Sequence, residues 1–217
     1  MVRSVIWWLI AAGLCISSSG CMTMARGPDP IYQKTEVEYA TGERPGTIVI
    51  DPENHFLYLV ENKGRAIRYG VGVGAEGYGW SGTAVVQSKR EWPDWHPTKE
   101  YLASHPRVVA AVSSLANGDC MRGGPDNPLG ARALYLWQNN KDTLYRIHGT
   151  NEPWTIGHNV SAGCIRLTNE NVSDLYDRIT AGARVVVLPY GGSTAQRWHI
   201  SSADEASISS TSRLANR

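Results

Sequence analysis

The amino-acid sequence predicts a mostly β fold with one or two short helices. Three observations carry that prediction. Short runs rich in Val, Ile, Thr and Tyr recur with turn residues between them, as strands joined by tight turns do. The composition of the 217 residues, with Gly 22, Pro 11, Trp 8, Tyr 10 and Phe 1, favours turns and pleated surfaces. Only one segment repeats its apolar residues at a clear helical spacing.

Each element follows from local chemistry. Gly46–Ile50 and His55–Val60 flank Asp51-Pro-Glu-Asn54, a turn composition, and so read as a hairpin. Arg65–Val73, Thr83–Lys89, Ala131–Trp137, Thr143–His148 and Arg184–Leu188 are the further strands. Glu91–Pro106, with three prolines, reads as an irregular loop holding a short helix near Lys99–Ser104. Val172, Leu175, Tyr176 and Ile179 fall at i, i+3, i+4 and i+7 of a helix, with Thr168 or Asn169 as N-cap and Gly182 past its end.

The two ends read differently from this body. One positive charge at Arg3, an uncharged apolar run from Val5 to Ile16 and small residues before Cys21 are the parts of a secretory signal over residues 1–21. The apolar run is shorter than the roughly 20 residues that span a bilayer. Gly20-Cys21 also resembles the bacterial lipoprotein signal, in which a lipid is attached to the cysteine; Ser18 stands where that pattern usually has Leu. Residues 22–44, with Gly-Pro-Asp-Pro and little periodicity, read as a linker, and the Ser-rich residues 191–217 as a flexible tail. Residues 45–190 remain as one domain. The expected location is the periplasm, with the lipid on Cys21 anchoring the chain to the outer membrane.

Charge removes one class of function. Lys and Arg total 21 against 20 Asp and Glu, and without residues 1–20 the balance is 20 against 20. A nucleic-acid binder needs a basic surface to neutralise phosphates, so no nucleic-acid partner is expected. Nothing in the sequence points beyond a monomer.

The chemistry concentrates between Tyr145 and Leu167. His148 ends a strand, a loop with Gly and Asn follows, and Cys164 lies in a Ser161-Ala-Gly-Cys turn. A thiol with a pKa of about 8.5 is a poor nucleophile, and a neighbouring imidazole can hold it as thiolate and return the proton to a leaving amine. Gly163 lets the backbone approach a substrate, and the amides of Gly163 and Cys164 are candidate donors to an oxyanion.

Ile147-His-Gly-Thr-Asn151 followed by Ser161-x-Gly-Cys-Ile-Arg-Leu167 resembles the signature of the L,D-transpeptidase catalytic domain, or YkuD, family. Asn127–Leu136 and Trp80–Thr83 are similar to further family segments, so the likeness covers about residues 46–189. The resemblance implies a β-sandwich of mixed sheets with the site in a groove beneath a loop. It implies a peptidoglycan enzyme whose cysteine attacks the L-centre carbonyl of diaminopimelate in a tetrapeptide stem and expels D-Ala. The acyl group then passes to an amine, forming a crosslink between two diaminopimelates or attaching a protein, or to water. Carried over by position, Cys164 is the nucleophile, His148 the base and the Gly149 carbonyl its orienting group. Gly163 flanks the nucleophile, and Ser161, Thr150 and Arg166 match substrate-binding positions. No metal or organic cofactor is required. Ala162 stands where many members carry a second His.

Other uses of these residues were weighed. His148, His158 and Cys164 match no zinc spacing. Cys120 is a disulfide partner by the default for exported proteins, yet pairing it with Cys164 would silence the enzyme, so a free thiol is expected. Trp80, Trp92 and Trp95 read as packing residues before a binding surface, and Glu152 and Asp126 as solvated loop carboxylates. A wall-binding protein without catalysis is the alternative class; it has no chemical need for His148 and Cys164.

Overall fold

The computed structural model describes residues 27–97, 99–104, 106 and 120–191. The proposed signal, the first residues of the linker and the tail beyond 191 lie outside them. Eleven strands carry the described fold: β1 (Thr35–Glu38), β2 (Ile48–Asp51), β3 (Phe56–Val60), β4 (Arg65–Gly70), β5 (Val73–Gly74), β6 (Gly82–Glu91), β7 (Arg132–Gln138), β8 (Lys141–His148), β9 (Asn159–Ser161), β10 (Ile165–Arg166) and β11 (Arg184–Val187). Among the described residues the α-helices with both ends given are α1 (Lys99–Ser104) and α2 (Asn169–Arg178). The described fold is mostly β, with a mixed sheet and short helices.

Nine strands form one sheet in the order β1-β4-β3-β2-β11-β6-β7-β8-β10, and β5 pairs with β9 in a second, parallel ladder. Most pairings in the large sheet are antiparallel; β11 with β2 and β10 with β8 are parallel. The leaves expected of a sandwich are thus the two ends of one sheet, hydrogen-bonded continuously through β11. Ile48, Ile50, Leu57, Leu59, Ile67 and Tyr69 from one end meet Ala84, Val86, Leu134, Leu136 and Ile147 from the other in a single buried cluster with Val172 and Leu175 of α2. Alternation along each strand builds this core. Val49, Val60, Val186 and Leu188 pack on the opposite face.

Turns were legible where a side chain makes the bend. The Asp51 carboxylate accepts the Asn54 backbone N–H at 3.2 Å and its side-chain amide at 2.8 Å, closing the β2–β3 hairpin. Asn139 and Asn140, both at positive φ, form the two-residue turn that joins β7 to β8. The α2 helix starts at Thr168, whose hydroxyl accepts the Asn171 N–H, as the spacing predicted. Its end differs from the expectation: the helix stops at Arg178, and Lys89 of β6 donates to the Tyr176 and Ile179 carbonyls.

The reading of residues 22–44 as a linker is corrected in part. Pro30–Tyr32 form a turn of 3-10 helix capped by Asp29, and β1 adds to the edge of the sheet on β4. The strand carries two glutamates and lacks the apolar alternation by which a strand is recognised, so nothing in its composition announced it.

Leu175 is fully buried between α2 and the sheet. Leu175→Ala is expected to lower stability by about 2–5 kcal/mol through the cavity it leaves. Urea unfolding monitored by circular dichroism checks this; a shifted midpoint with an unchanged slope is the expected result.

Candidate active site

The site is built on the parallel contact between β8 and β10. Ile165 lies beside Ile147 and Arg166 beside His148. Both isoleucines enter the core, so by strand alternation Arg146, His148, Cys164 and Arg166 share the other face. The 149–163 loop brings two parts of the sequence onto one patch of sheet.

His148 is buried, and its Nδ1–H donates to the Gly149 carbonyl at 2.5 Å. That bond fixes the tautomer and leaves Nε2 as an acceptor. Burial, followed by the positive charge of Arg166, lowers its pKa to about 4. Cys164 is half-buried, with Sγ 4.0 Å from the Leu144 carbonyl. Burial pushes the thiol up, opposed by the Arg146 backbone N–H and by the charges of Arg146 and Arg166. The resting pair is therefore neutral imidazole and neutral thiol. Burial of both groups outweighs the field of the two arginines.

The turn before Cys164 is internally braced. Ser161 is buried; its hydroxyl accepts the Gly163 N–H at 3.1 Å and donates to the Cys164 carbonyl at 2.6 Å. The Gly163 amide is thus spent within the turn, which corrects its placement as an oxyanion donor. The Cys164 N–H donates to no group among the described residues and is the candidate that remains. Gly163 has φ +108°, and a Cβ there would overlap the Tyr145 ring and lie 2.8 Å from the Tyr78 carbonyl. Trp80 stacks on that ring at 5.1 Å. The tryptophan supports the Cys164 turn by packing, the use the sequence favoured.

The loop after His148 is clamped by a residue the sequence offered only as a cap. The Asn169 side-chain carbonyl accepts the Ala131 N–H at 2.9 Å and the Thr150 N–H at 3.2 Å. Gly149 and Gly130 leave it room, since a Cβ on either would overlap that oxygen. Thr150 is buried and its hydroxyl accepts the Glu152 N–H at 2.9 Å. Thr150 and Ser161, expected to bind substrate, are both buried, and their hydroxyls hold backbone in place within turns.

Arg166 faces the site with Nη1 3.1 Å from the Glu152 carboxylate, and Glu152 is the more exposed partner. Glu152 is therefore not merely solvated, as its loop setting suggested. Its partner lies fourteen residues on, and no local spacing joins them. Asn127 is fully buried, and its amide donates to the carbonyls of Pro93, Met121 and Arg122. Cys120 and Cys164 are both free thiols. Among the described residues no three His, Cys, Asp or Glu side chains gather as metal ligands would.

Fold and site together define a mostly β catalytic domain with a cysteine and a histidine on one sheet face. The chain belongs to the YkuD family, the L,D-transpeptidase catalytic domain, whose model matches residues 45–187. It is 34% identical over 148 residues to the Escherichia coli protein called Probable L,D-transpeptidase YbiS, covering 64% of this chain and 43% of that one. It is 33% identical over 153 residues to E. coli Probable L,D-transpeptidase ErfK/SrfK, covering 67% of this chain and 44% of that one. The matched stretch is thus less than half the length of these relatives. A solved Brucella melitensis structure described as a probable carnitine operon oxidoreductase is 52% identical, covering 74% of this chain and 96% of that one, with a TM-score of 0.49.

The His148 environment makes stability depend on pH. The folded imidazole has a pKa of about 4 against the ordinary histidine value of 6.5, so between those values the unfolded chain binds a proton that the folded chain refuses. The fold is favoured above pH 6.5, and about 3 kcal/mol is lost as the pH falls to 4. Thermal melts across this range check it: His148→Gln is expected to flatten the slope.

Proposed function

We propose that this chain is a peptidoglycan L,D-transpeptidase that uses Cys164 as nucleophile and His148 as general base. The observation that carries the reading is the shared face of β8 and β10, where a tautomer-fixed imidazole and a half-buried thiol lie two strand positions apart. The donor is a tetrapeptide stem ending in D-Ala. In this reading Nε2 takes the thiol proton as Sγ bonds to the L-centre carbonyl of diaminopimelate. The C–N bond to D-Ala then breaks, and His148 returns the proton to the leaving amine. An acceptor amine attacks the thioester, passes its proton to His148, and the departing sulfur recovers it.

The neutral resting pair makes proton transfer part of the attack and not a step completed before it. His148 and Cys164 make no hydrogen bond to each other among the described residues, so rotation of the Cys164 side chain closes the pair once substrate is seated. The oxyanion forms beside the Cys164 N–H, on a face made positive by Arg146 and Arg166. Arg166 is the candidate for a substrate carboxylate, with Glu152 occupying it at rest. The chemistry draws on no cofactor.

The wider setting belongs to the same proposal. Residues 1–21 act as a lipoprotein-type signal with the lipid on Cys21, residues 45–190 as the catalytic domain and 191–217 as a tail. The enzyme works as a monomer in the periplasm, tethered to the outer membrane by that lipid.

A muropeptide digest incubated with residues 22–217 and read by mass spectrometry tests the activity. A diaminopimelate-linked dimer with released D-Ala is expected, and Cys164→Ala and His148→Ala should each abolish it with the thermal midpoint of a folded protein retained. Tripeptide and D-Ala without dimer would make the chain a carboxypeptidase, and no change in either species would favour the wall-binding alternative. The acid limb of kcat/KM is a second check: it should be half-maximal near pH 4 and not near 6.5.

A further inference from the structure

Tyr32 lies outside the stretch that matches the family, yet it sits at the root of the site. Its backbone and Cβ lie flat on Gly70 at the end of β4: a Cβ on Gly70 would overlap the Tyr32 Cβ and stand 2.5 Å from the Tyr32 carbonyl oxygen. The ring of Tyr32 covers Gly157 in the loop between His148 and Cys164, where a Cβ would stand 2.5 Å from Tyr32 Cζ. Phe56 and His55 flank that ring at 5.6 and 6.4 Å, and His55 Nε2 lies 2.7 Å from Asn159 Oδ1. Lys34 pairs with Asp174 of α2 at 3.2 Å, and β1 zips onto β4. The N-terminal segment is a strap with one aromatic wedge.

The two glycines under the wedge lead directly into the ladder that carries the nucleophile. Three residues after Gly70 the chain enters β5, and two after Gly157 it enters β9. The Gly157 N–H donates to the Val71 carbonyl at 3.0 Å, the Val73 N–H to the His158 carbonyl at 3.0 Å, and the Ala75 N–H to the Ser161 carbonyl at 2.8 Å. Ser161 then braces Cys164. Gly74 closes the stack: a Cβ there would lie 3.0 Å from Gly163 Cα. The separation of Gly70 and Gly157 is thus linked, through this ladder, to the cysteine turn, alongside the direct pairing of β10 with β8.

We infer that Tyr32 is a positioning residue, wedging β4 and the His–Cys loop at the spacing that holds Cys164 in line with His148. The inference rests on the transpeptidase reading for its kinetic test. Its ring acts by volume, and no side-chain hydrogen bond from its hydroxyl is needed.

The test compares the full chain with Tyr32→Ala, Tyr32→Leu and Tyr32→Phe. For Tyr32→Ala, kcat for D-Ala release is expected to fall by about tenfold with KM within about twofold, the pattern of a displaced reacting group. Tyr32→Leu keeps the contact on Gly70 but loses the ring over Gly157, so it carries the same expectation should the alanine variant not fold. Tyr32→Phe should restore kcat. Cys164 alkylation by iodoacetamide across pH is the readout independent of activity, and its midpoint should move in Tyr32→Ala and Tyr32→Leu and return in Tyr32→Phe. Unchanged kcat and an unchanged alkylation profile in folded Tyr32→Leu would overturn the inference, leaving the strap a stabilising element. A wild type that transfers no acyl group would instead sink the functional reading, and the alkylation profiles would still decide the wedge.

Discussion

The structure depends on the pairing of β10 with β8. It is short, two residues against two, yet it aligns Arg166 with His148 and lays Ile165 against Ile147. Because side chains alternate, one register decides everything: a slip of a single residue would send Cys164 and Arg166 toward the core and Ile165 outward. The isoleucines are therefore as much part of the site as the polar residues behind them. Burial of their side chains, worth about 1.5–3 kcal/mol each, opposes the cost of keeping an imidazole and two arginines on the reverse face. Catalytic geometry here is a by-product of hydrophobic register.

That arrangement fixes the electrostatics. A buried imidazole next to two guanidinium groups resists protonation, and the same burial keeps the thiol neutral. A standing ion pair would be a more reactive resting state, but it would place an imidazolium beside Arg166 in a dry pocket. In the proposed mechanism the neutral pair defers charge separation until a carbonyl is present to receive the electrons. The arginine field would then oppose the imidazolium and favour the oxyanion, so its net effect depends on how near each charge forms. Glu152 tempers the field at rest by pairing with Arg166.

Much of this was readable in the sequence, and the limits have physical causes. Strands with period-two apolar residues and turns made by a side chain, such as Asp51 or Thr168, were legible because local chemistry decides them. The segment from His148 to Arg166 was legible because a thiol, an imidazole and a glycine turn at that spacing have a chemical purpose. What escaped is long-range. β1 is an edge strand of charged residues whose only reason to be extended is β4 beside it. Asn169 reads as a helix start, and its clamp on Ala131 and Thr150 exists only once two loops meet. The turn bonds of the Ser161 and Thr150 hydroxyls escaped because a motif shows which residues are present and not which backbone groups they meet.

Some of the places that break local rules lie around Cys164. Leu144 holds φ +61° and is largely exposed, with its carbonyl toward the sulfur, and Gly163 holds φ +108° against an aromatic ring. Buried Arg166 Nε and Trp80 Nε1 have no acceptor among the described residues. Each departure costs of order 1–3 kcal/mol and persists only where surrounding structure over-determines it. That support comes from several directions: the apolar core under β8, the Asn169 clamp, the Trp80–Tyr145 stack and the strap at Gly70 and Gly157. Removing one support leaves the others to hold the fold while strain relaxes at the turn. The loss would then be felt first as misplacement of Cys164, and only later as unfolding.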